Sequence, residues 1–155
     1  MPDEVFGRRR VLQLWLRQLV FLGVLMSNKP ILCLDFDGVI HSYEKGWQNG
    51  EIYGTVTPGF FEWMEEAEEH FRLMVYSSRS GSDAGRQAMR EWLWQEHAKW
   101  MHAGNGHKLA RPPIEFPPDK PPAFLTIDDR AITFPGRWDW LPPETLREFK
   151  PWNAR

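Results

Sequence analysis

The chain of 155 residues is poor in cysteine, since Cys33 is the only one. A single cysteine cannot form a disulfide within the chain, and it cannot supply a zinc site built from several thiolates. The sequence therefore lacks the framework of a disulfide-stabilised secreted scaffold. A buried strand thiol in a reducing compartment is the interpretation that Cys33 favours, and we expect the protein to act in the cytoplasm.

The chain also lacks a strong excess of charge of either sign. Lysine and arginine number 19, aspartate and glutamate number 21, and the formal net charge is -2. Such a balance provides no overall electrostatic attraction to nucleic acid or to an anionic membrane. With 42% hydrophobic residues, the length suits one globular domain with its own core.

No hydrophobic run in the sequence is long enough to cross a membrane. The apolar stretch 11–25 follows Arg8-Arg9-Arg10, but Arg17 interrupts it and no small-residue cleavage site comes after it. A membrane span needs roughly 20 predominantly apolar residues. Two interpretations stay open for residues 1–28: an appended amphipathic helix, or sequence upstream of a natural start at Met26. We assign the domain itself to residues 29–155.

Short apolar segments alternate with helical patterns along this domain. The pair Asn49-Gly50 lies between aromatic and β-branched positions, which predicts a β-hairpin flap within 38–56. Thr57-Pro58 is expected to begin the first helix, and Ser82 or Asp83 the second. Strands are predicted at 31–34, 72–76, 114–116, 123–127 and 134–138, and helices at 57–71, from 82 or 83 to about 101, and at 142–149.

This alternation predicts an α/β fold with three layers, in which a mostly parallel, Rossmann-like sheet is joined by right-handed crossovers. Pairs of polar residues follow three of the predicted strands where each strand ends, and ligands of open α/β sheets bind at that edge. The pairs are Asp35 and Asp37, Ser77 and Arg79, and Asp128 and Asp129. Four carboxylates at one edge need a cation, and their oxygen atoms suit Mg²⁺.

The stretch Asp35-Phe36-Asp37-Gly38-Val39 resembles the first motif, D-x-D-G-[TV], of the haloacid dehalogenase (HAD) superfamily, and it follows an apolar strand as that motif does. Val75-Tyr76-Ser77 is similar to the second motif and Lys120-Pro121 to the third. The fourth motif, an apolar strand ending in two acids, is similar to 125–129. The four resemblances occur in order between Lys29 and Trp140, and their ordered combination is far more specific than any one of them.

Details of two motifs are similar to the polynucleotide kinase-phosphatase branch of that superfamily. They are Ser77-Ser78-Arg79, which resembles its S-x-R, and Ile127-Asp128-Asp129-Arg130, which resembles its I-D-D-R. Two alternatives stay open, because Ser78 could replace Ser77 as the second-motif residue and Lys108 could replace Lys120 as the third-motif lysine. We favour Ser77 for the S-x-R pattern and Lys120 for its place before the strand.

The resemblance implies a Mg²⁺-dependent phosphatase. Asp35 would be the nucleophile that becomes an aspartyl-phosphate, and Asp37 would be the general acid and then the general base. Lys120 would offset negative charge, and Ser77 would hydrogen-bond a phosphoryl oxygen. The metal ligands would be the Asp35 side chain, the Asp37 backbone carbonyl, Asp128 and, through water, Asp129, while Gly38, Ser78 and Arg79 would bind substrate.

The chain has no room for the cap domain that many members of the superfamily insert. An open, capless site favours a large or extended phosphorylated substrate, including nucleotide or polynucleotide phosphate ends. Tyr43, Trp47 and Tyr53 of the predicted flap could stack on such a substrate, although packing within the flap explains them more simply. His41 is expected to have a structural role at the base of the flap. The competing function is a catalytically idle HAD-like domain kept as a binding or accessory module.

Overall fold

The computed structural model describes residues 28–105 and 108–154. The two interpretations of residues 1–28 therefore concern positions that, except for Asn28, lie outside the described part. Within it the chain forms four strands and three α-helices, together with two short 3₁₀ helices at Trp138–Trp140 and Trp152–Ala154. The strands are β1 (Ile31–Leu34), β2 (Arg72–Val75), β3 (Ile114–Glu115) and β4 (Leu125–Ile127). The helices are α1 (Phe60–His70), α2 (Asp83–His102) and α3 (Pro143–Leu146).

The four strands form one parallel sheet in the order β3-β2-β1-β4. Leu34, at the end of β1, is in register with Val75 of β2 and with Ile127 of β4. The carboxyl ends of these three strands therefore lie side by side at one edge of the sheet. This confirms the α/β class and the parallel arrangement that the sequence predicts.

The two long helices pack on the same face of this sheet. Leu32 and Leu34 of β1 share a buried core with Met64 of α1 and Leu93 of α2, and alternate strand residues face the same side. The helices also touch each other, with the rings of Phe61 and His97 5.1 Å apart. Helices on one face are what two successive right-handed crossovers in the same direction require.

The predicted third layer is not found in the described residues. The connection from β3 to β4 contains no helix, and it is short and rich in proline. Proline lacks the backbone N–H that a helix needs and clashes with the preceding turn. The prolines of this connection are Pro117, Pro118, Pro121 and Pro122. Residues 1–27 lie outside the described part, so the third layer stays a prediction.

The helix starts were predicted with mixed success. Ser82 caps α2 by accepting a hydrogen bond from the Gly85 N–H, as expected. By contrast α1 begins at Phe60, after Gly59 with a φ of 79°, and not at Thr57-Pro58. The Thr57 hydroxyl donates instead to the Val39 carbonyl at 2.7 Å. A bond to the loop after β1 thus replaces the predicted cap.

Residues 42–56, which we call the flap loop, do not form the predicted β-hairpin. The turn itself is confirmed, since Asn49 and Gly50 both have positive φ, 51° and 85°. However, the only bridges here are isolated ones, including an antiparallel bridge between His41 and Val56. The Tyr53 hydroxyl accepts from the Lys45 N–H, so a side chain holds the loop where a strand ladder was expected. The hairpin prediction was therefore wrong beyond its turn.

The segment after β4 is less regular than the sequence pattern suggested. The strand predicted at 134–138 is absent, and Pro135-Gly136 interrupts that stretch. The helix predicted at 142–149 shortens to α3. Several large apolar side chains stay exposed here, among them Trp138 at 78%. No helix of the described residues is long and apolar enough to cross a membrane.

Candidate functional site

Three carboxylates meet where β1 and β4 end. Asp35 follows β1, and Asp128 and Asp129 follow β4, so the parallel register of the two strands brings them together. Each offers a carboxylate oxygen, and these oxygens all lie within 4.8 Å of one another. We call these three residues the acidic cluster. Its formation is what the sequence pattern predicted from the strand ends.

Ionisation of Asp35 is unfavourable in this arrangement. Burial raises the pKa of its carboxyl group to about 7, and the negative charges of Asp128, Asp129 and Asp37 add to that effect. The Phe36 N–H opposes the shift by hydrogen bonding. A carboxylate that is costly to ionise is stabilised by a nearby cation. The cluster is therefore a place where a positive charge would be strongly favoured.

Asp129 is the most poorly satisfied member of the cluster. Its side chain is 1% exposed, and both carboxylate oxygens lack a hydrogen-bond partner among the described residues. The Arg130 Nε lies 3.7 Å from Oδ2, too far for a hydrogen bond. Burial is the main cause that raises the pKa of Asp129. Buried carboxylates without partners are rare in folded proteins, which makes this group a natural ligand for an external cation.

Gly38 is required by the position of Asp129. A Cβ atom added at Gly38 would lie 2.4 Å from the Asp129 Oδ2, and the glycine has a φ of 88°. Both the close contact and the left-handed backbone exclude a larger residue without rearrangement. The glycine that the sequence assigned to substrate binding thus lets the loop after β1 approach the loop after β4.

The donor set of the cluster fits Mg²⁺. All three side chains supply hard oxygen ligands, and the buried carboxylate of Asp129 has no hydrogen-bond partner among the described residues. Asp128 is exposed, and its Oδ1 accepts a hydrogen bond from the Arg130 N–H at 2.7 Å, which orients the carboxylate. The side chain of Asp37 does not belong to the cluster.

Asp37 is turned away from the cluster and is paired with a cation from the protein. Its Oδ2 accepts from the Arg79 Nε at 2.8 Å, and its Oδ1 accepts from a second guanidinium nitrogen at 3.2 Å and contacts the His41 Nδ1 at 2.9 Å. Burial by itself raises the pKa of Asp37, but the hydrogen bonds from His41 and Arg79 and the charge of Arg79 outweigh it and lower the pKa. Asp37 is therefore ionised at neutral pH in this arrangement.

Arg79 joins Asp37 to the flap loop. Its remaining terminal nitrogen donates to the Gly50 carbonyl at 2.5 Å, and its guanidinium lies 4.7 Å from the centre of the Trp47 ring. The side chain is 5% exposed. The sequence assigned Arg79 to substrate binding, whereas here all three guanidinium nitrogens contact protein acceptors. Arg79 supports the site by fixing Asp37 and the flap loop in one arrangement.

The two candidate serines after β2 differ in accessibility. Ser77 is buried, and its hydroxyl oxygen accepts from the Arg79 N–H at 3.1 Å. The Ser77 N–H in turn donates to the Ser80 hydroxyl. These bonds shape the loop that presents Arg79. Ser78 is exposed, so of the two serines it has the hydroxyl that faces solvent.

The two candidate lysines lie in different places. Lys108 forms an ion pair with Glu69 at 3.0 Å, near the carboxyl end of α1. Since α1 leads from the carboxyl end of β1 to the amino end of β2, Lys108 is remote from the acidic cluster. Lys120 is exposed, and its charge acts on the Cys33 thiol, whose pKa is raised by burial and lowered in part by Lys120. Cys33 lies two residues before Asp35 and on the same side of β1, which favours Lys120.

A cavity of about 360 Å³ adjoins the acidic cluster. Trp152, near the carboxyl end of the sequence, forms one wall, and its indole Nε1–H donates to the Gly38 carbonyl at 2.6 Å. The Asn153 side chain donates to the Ser42 carbonyl at 3.2 Å. The end of the chain is thus bound to the loop that carries the first motif. No sequence signal indicated this contact, because more than a hundred residues separate the partners.

Two buried polar side chains, Glu65 and His41, form contacts that were not predicted from the sequence. Glu65 of α1 is 7% exposed, and its Oε1 accepts from the N–H groups of Lys108 and Leu109. His41 was expected to support the flap loop, and its contact with Asp37 was not foreseen. A histidine four residues after a carboxylate is the one signal that could have suggested that contact.

Comparisons with protein-family models, with curated proteins and with solved structures found no match. The resemblance to the HAD superfamily therefore depends on the motif residues alone.

Proposed function

We propose that the chain is a Mg²⁺-dependent phosphomonoester hydrolase of the HAD type, acting in the cytoplasm through an aspartyl-phosphate on Asp35. The acidic cluster carries the proposal: three carboxylates converge at the carboxyl ends of parallel strands, and the side chain of Asp129, 1% exposed, has no hydrogen-bond partner in the described residues. Such a group is costly unless a cation binds. The order of the four motifs supports the same function.

Asp35, Asp128 and Asp129 would hold the Mg²⁺ ion. When bound, the ion would neutralise part of the charge of the phosphoryl group and of its nucleophile. The Asp35 carboxylate attacks phosphorus, a new O–P bond forms, and the bond from phosphorus to the leaving oxygen breaks. In the second half, water attacks the phosphorus of the aspartyl-phosphate, inorganic phosphate leaves and Asp35 is regenerated.

Asp37 handles the proton in both halves of this reaction. Because Asp37 is ionised before substrate binds, the proton that it gives to the leaving oxygen in the first half arrives with the phosphate monoester. In the second half it takes a proton from the attacking water. The bonds from Arg79 and His41 lower its pKa and so favour the ionised form that the second half needs. Lys120 offsets the negative charge that gathers around phosphorus, and the serine hydroxyls at 77 and 78 are the candidate donors to phosphoryl oxygens.

Nucleotide or polynucleotide phosphate ends are the substrate class that we propose to test first. Trp47 of the flap loop is 56% exposed and lies over the Arg79 guanidinium, so its outer face is free to stack on a base. Trp152 is 51% exposed beside the cavity at the cluster. The described residues contain no cap domain that would limit substrate size.

The decisive experiment measures p-nitrophenyl phosphate hydrolysis with Mg²⁺ and with EDTA, for the wild type and for Asp35→Asn. We expect Mg²⁺-dependent turnover by the wild type and none above background by the variant. Asp139→Asn, at an exposed carboxylate that pairs with Arg137 and does not belong to the acidic cluster, is a matched control that should keep wild-type turnover. Equal rates for the wild type and Asp35→Asn would reject the aspartyl-phosphate mechanism.

A second measurement separates an enzyme from an idle binding module. We expect 3′- or 5′-phosphorylated oligonucleotides to be hydrolysed with a higher kcat/KM than sugar phosphates. Binding of these oligonucleotides without any hydrolysis, in the presence of Mg²⁺, would favour the accessory-module alternative. The presence of every charged motif residue argues against that alternative.

A further inference from the structure

His41 lies at the end of a tight turn that follows β1. The N–H groups of Ile40 and His41 both donate to the Phe36 carbonyl, at 3.0 and 2.9 Å. The chain is thereby folded back, and the imidazole reaches the carboxylate of Asp37 four residues earlier, with Nδ1 2.9 Å from Oδ1. His41 is fully buried, so water cannot replace this contact.

The other ring nitrogen defines which tautomer is present. The Gly54 N–H of the flap loop donates to Nε2 of His41 at 2.9 Å. A backbone N–H can only donate, so Nε2 is the acceptor and the ring proton lies on Nδ1. His41 therefore donates its Nδ1–H to the Asp37 carboxylate.

The imidazole is also held in place by its surroundings. The rings of Phe36, Tyr53 and Trp92 lie with their centres 5.8, 5.1 and 5.4 Å from that of His41. A Cβ atom added at Gly54 would lie 2.7 Å from Nε2, so only glycine lets the flap loop come this close. Packing and hydrogen bonding together leave the ring one orientation.

The fixed orientation of the His41 ring determines which acceptor positions of the Asp37 carboxylate are occupied. A carboxylate has about four acceptor positions on its two oxygens. Three donors occupy Asp37: the Arg79 Nε on Oδ2, and a terminal nitrogen of Arg79 together with the His41 Nδ1–H on Oδ1. One acceptor position therefore remains, and it is on Oδ2.

We propose that His41 is a positioning residue for proton transfer by Asp37. Its Nδ1–H holds the carboxylate in one rotamer, so that the remaining position on Oδ2 exchanges the proton with the leaving oxygen and then with water. Because Gly54 fixes the tautomer, the flap loop takes part in this positioning. The inference rests on the proposed phosphatase function and adds a residue to it.

The test compares His41→Gln with His41→Asn. A glutamine amide reaches the place of Nε2 and leaves Asp37 without the donor, whereas an asparagine amide lies near the place of Nδ1 and restores it. His97→Gln, at a buried histidine of α2 remote from Asp37, is the matched control for burial. First-turnover rates are measured with Mg²⁺ on a series of aryl phosphates whose leaving phenols differ in acidity.

We expect His41→Gln to lower the rate for phenyl phosphate by about 10²-fold. The loss should be smaller for 4-nitrophenyl phosphate, because its leaving group needs no proton. The rate of His41→Gln should therefore depend more steeply on leaving-group acidity than the rate of the wild type. His41→Asn should return that dependence toward the wild type, and His97→Gln should leave it unchanged. If the wild type is active and His41→Gln shows the same dependence of rate on leaving-group acidity, the positioning role is overturned. The proposed phosphatase function is then unaffected.

A wild type that binds Mg²⁺ but hydrolyses no phosphate ester rejects the proposed function and the positioning role with it. If His41→Gln does not fold, ¹⁵N NMR of histidine-labelled wild type decides the matter. We expect the His41 resonances to show a protonated Nδ1 and an unprotonated Nε2. The opposite tautomer overturns the inference.

Discussion

The loops after β1 and after β4 each carry a buried aspartate, and the two are in opposite electrostatic states. Asp37, after β1, is bonded to Arg79 and His41, and these bonds lower its pKa against the effect of burial. Asp129, after β4, has no hydrogen-bond partner in the described residues, and burial raises its pKa. One carboxylate is held by hydrogen bonds from a buried arginine and a histidine. The other has the Arg130 guanidinium at 3.7 Å, and both of its oxygens lack a hydrogen bond among the described residues.

This difference teaches how one sheet edge can separate two tasks. A carboxylate that must exchange protons benefits from fixed orientation, and Arg79 with His41 provides it. A carboxylate that must hold a metal ion benefits from unused lone pairs, and the surroundings of Asp129 leave them unused. Each task can therefore be disturbed by itself.

The largest effect is expected from removing the cation of Asp37. Arg79→Met leaves a buried carboxylate without its ion pair, and we expect the free energy of unfolding to fall by about 3 kcal/mol. Urea unfolding followed by circular dichroism measures it. The control is Arg72→Met, which breaks an exposed pair with Glu115 and should cost less than about 1 kcal/mol. Equal losses for the two variants would contradict the difference between the buried and the exposed pair.

The second effect concerns the pH dependence of the metal-free protein. The pKa of Asp35 is raised from 3.8 to about 7, so its contribution to stability is full below 3.8 and is lost as the pH rises through about 7. The ionised group then costs on the order of 2 kcal/mol, after allowance for its partial exposure. We expect Asp35→Asn to be more stable than the wild type in EDTA at about pH 8, and the advantage to shrink toward pH 5.

Urea unfolding at both pH values measures this advantage, and Mg²⁺ should reverse it by stabilising the wild type alone. An advantage that does not change with pH would show that ionisation of Asp35 is not its cause.

The smallest effect tests the close approach of the two loops. Gly38 and Gly59 both have positive φ, 88° and 79°, but only at Gly38 would a Cβ atom meet Asp129. We expect Gly59→Ala to cost about 1 kcal/mol for its backbone, and Gly38→Ala to cost about 1 kcal/mol more. Calorimetric titration with Mg²⁺ should show weaker binding in Gly38→Ala and unchanged binding in Gly59→Ala. Unchanged Mg²⁺ binding in both variants would show that Asp129 is not a ligand of the metal ion.

Much of the sheet could be predicted because its signals are local. The apolar runs that became β1, β2 and β4 are short and end in polar pairs, and the position of those pairs predicted the acidic cluster. The flap loop and the start of α1 were predicted less well. Asn49-Gly50 specifies a turn but not the ladder beside it, and the Thr57 hydroxyl bonds to the loop after β1 where a helix cap was expected.

The sequence by itself determined which residues stand at the strand ends, since a buried strand must be apolar and a polar residue there marks its end. Only the tertiary structure decided their partners. Arg79 is 42 positions from Asp37 and Trp152 is 114 positions from Gly38, so no local pattern could pair them. The physical reason is that secondary structure follows from neighbouring residues, whereas the charge state of a buried carboxylate depends on every group that the fold brings to it.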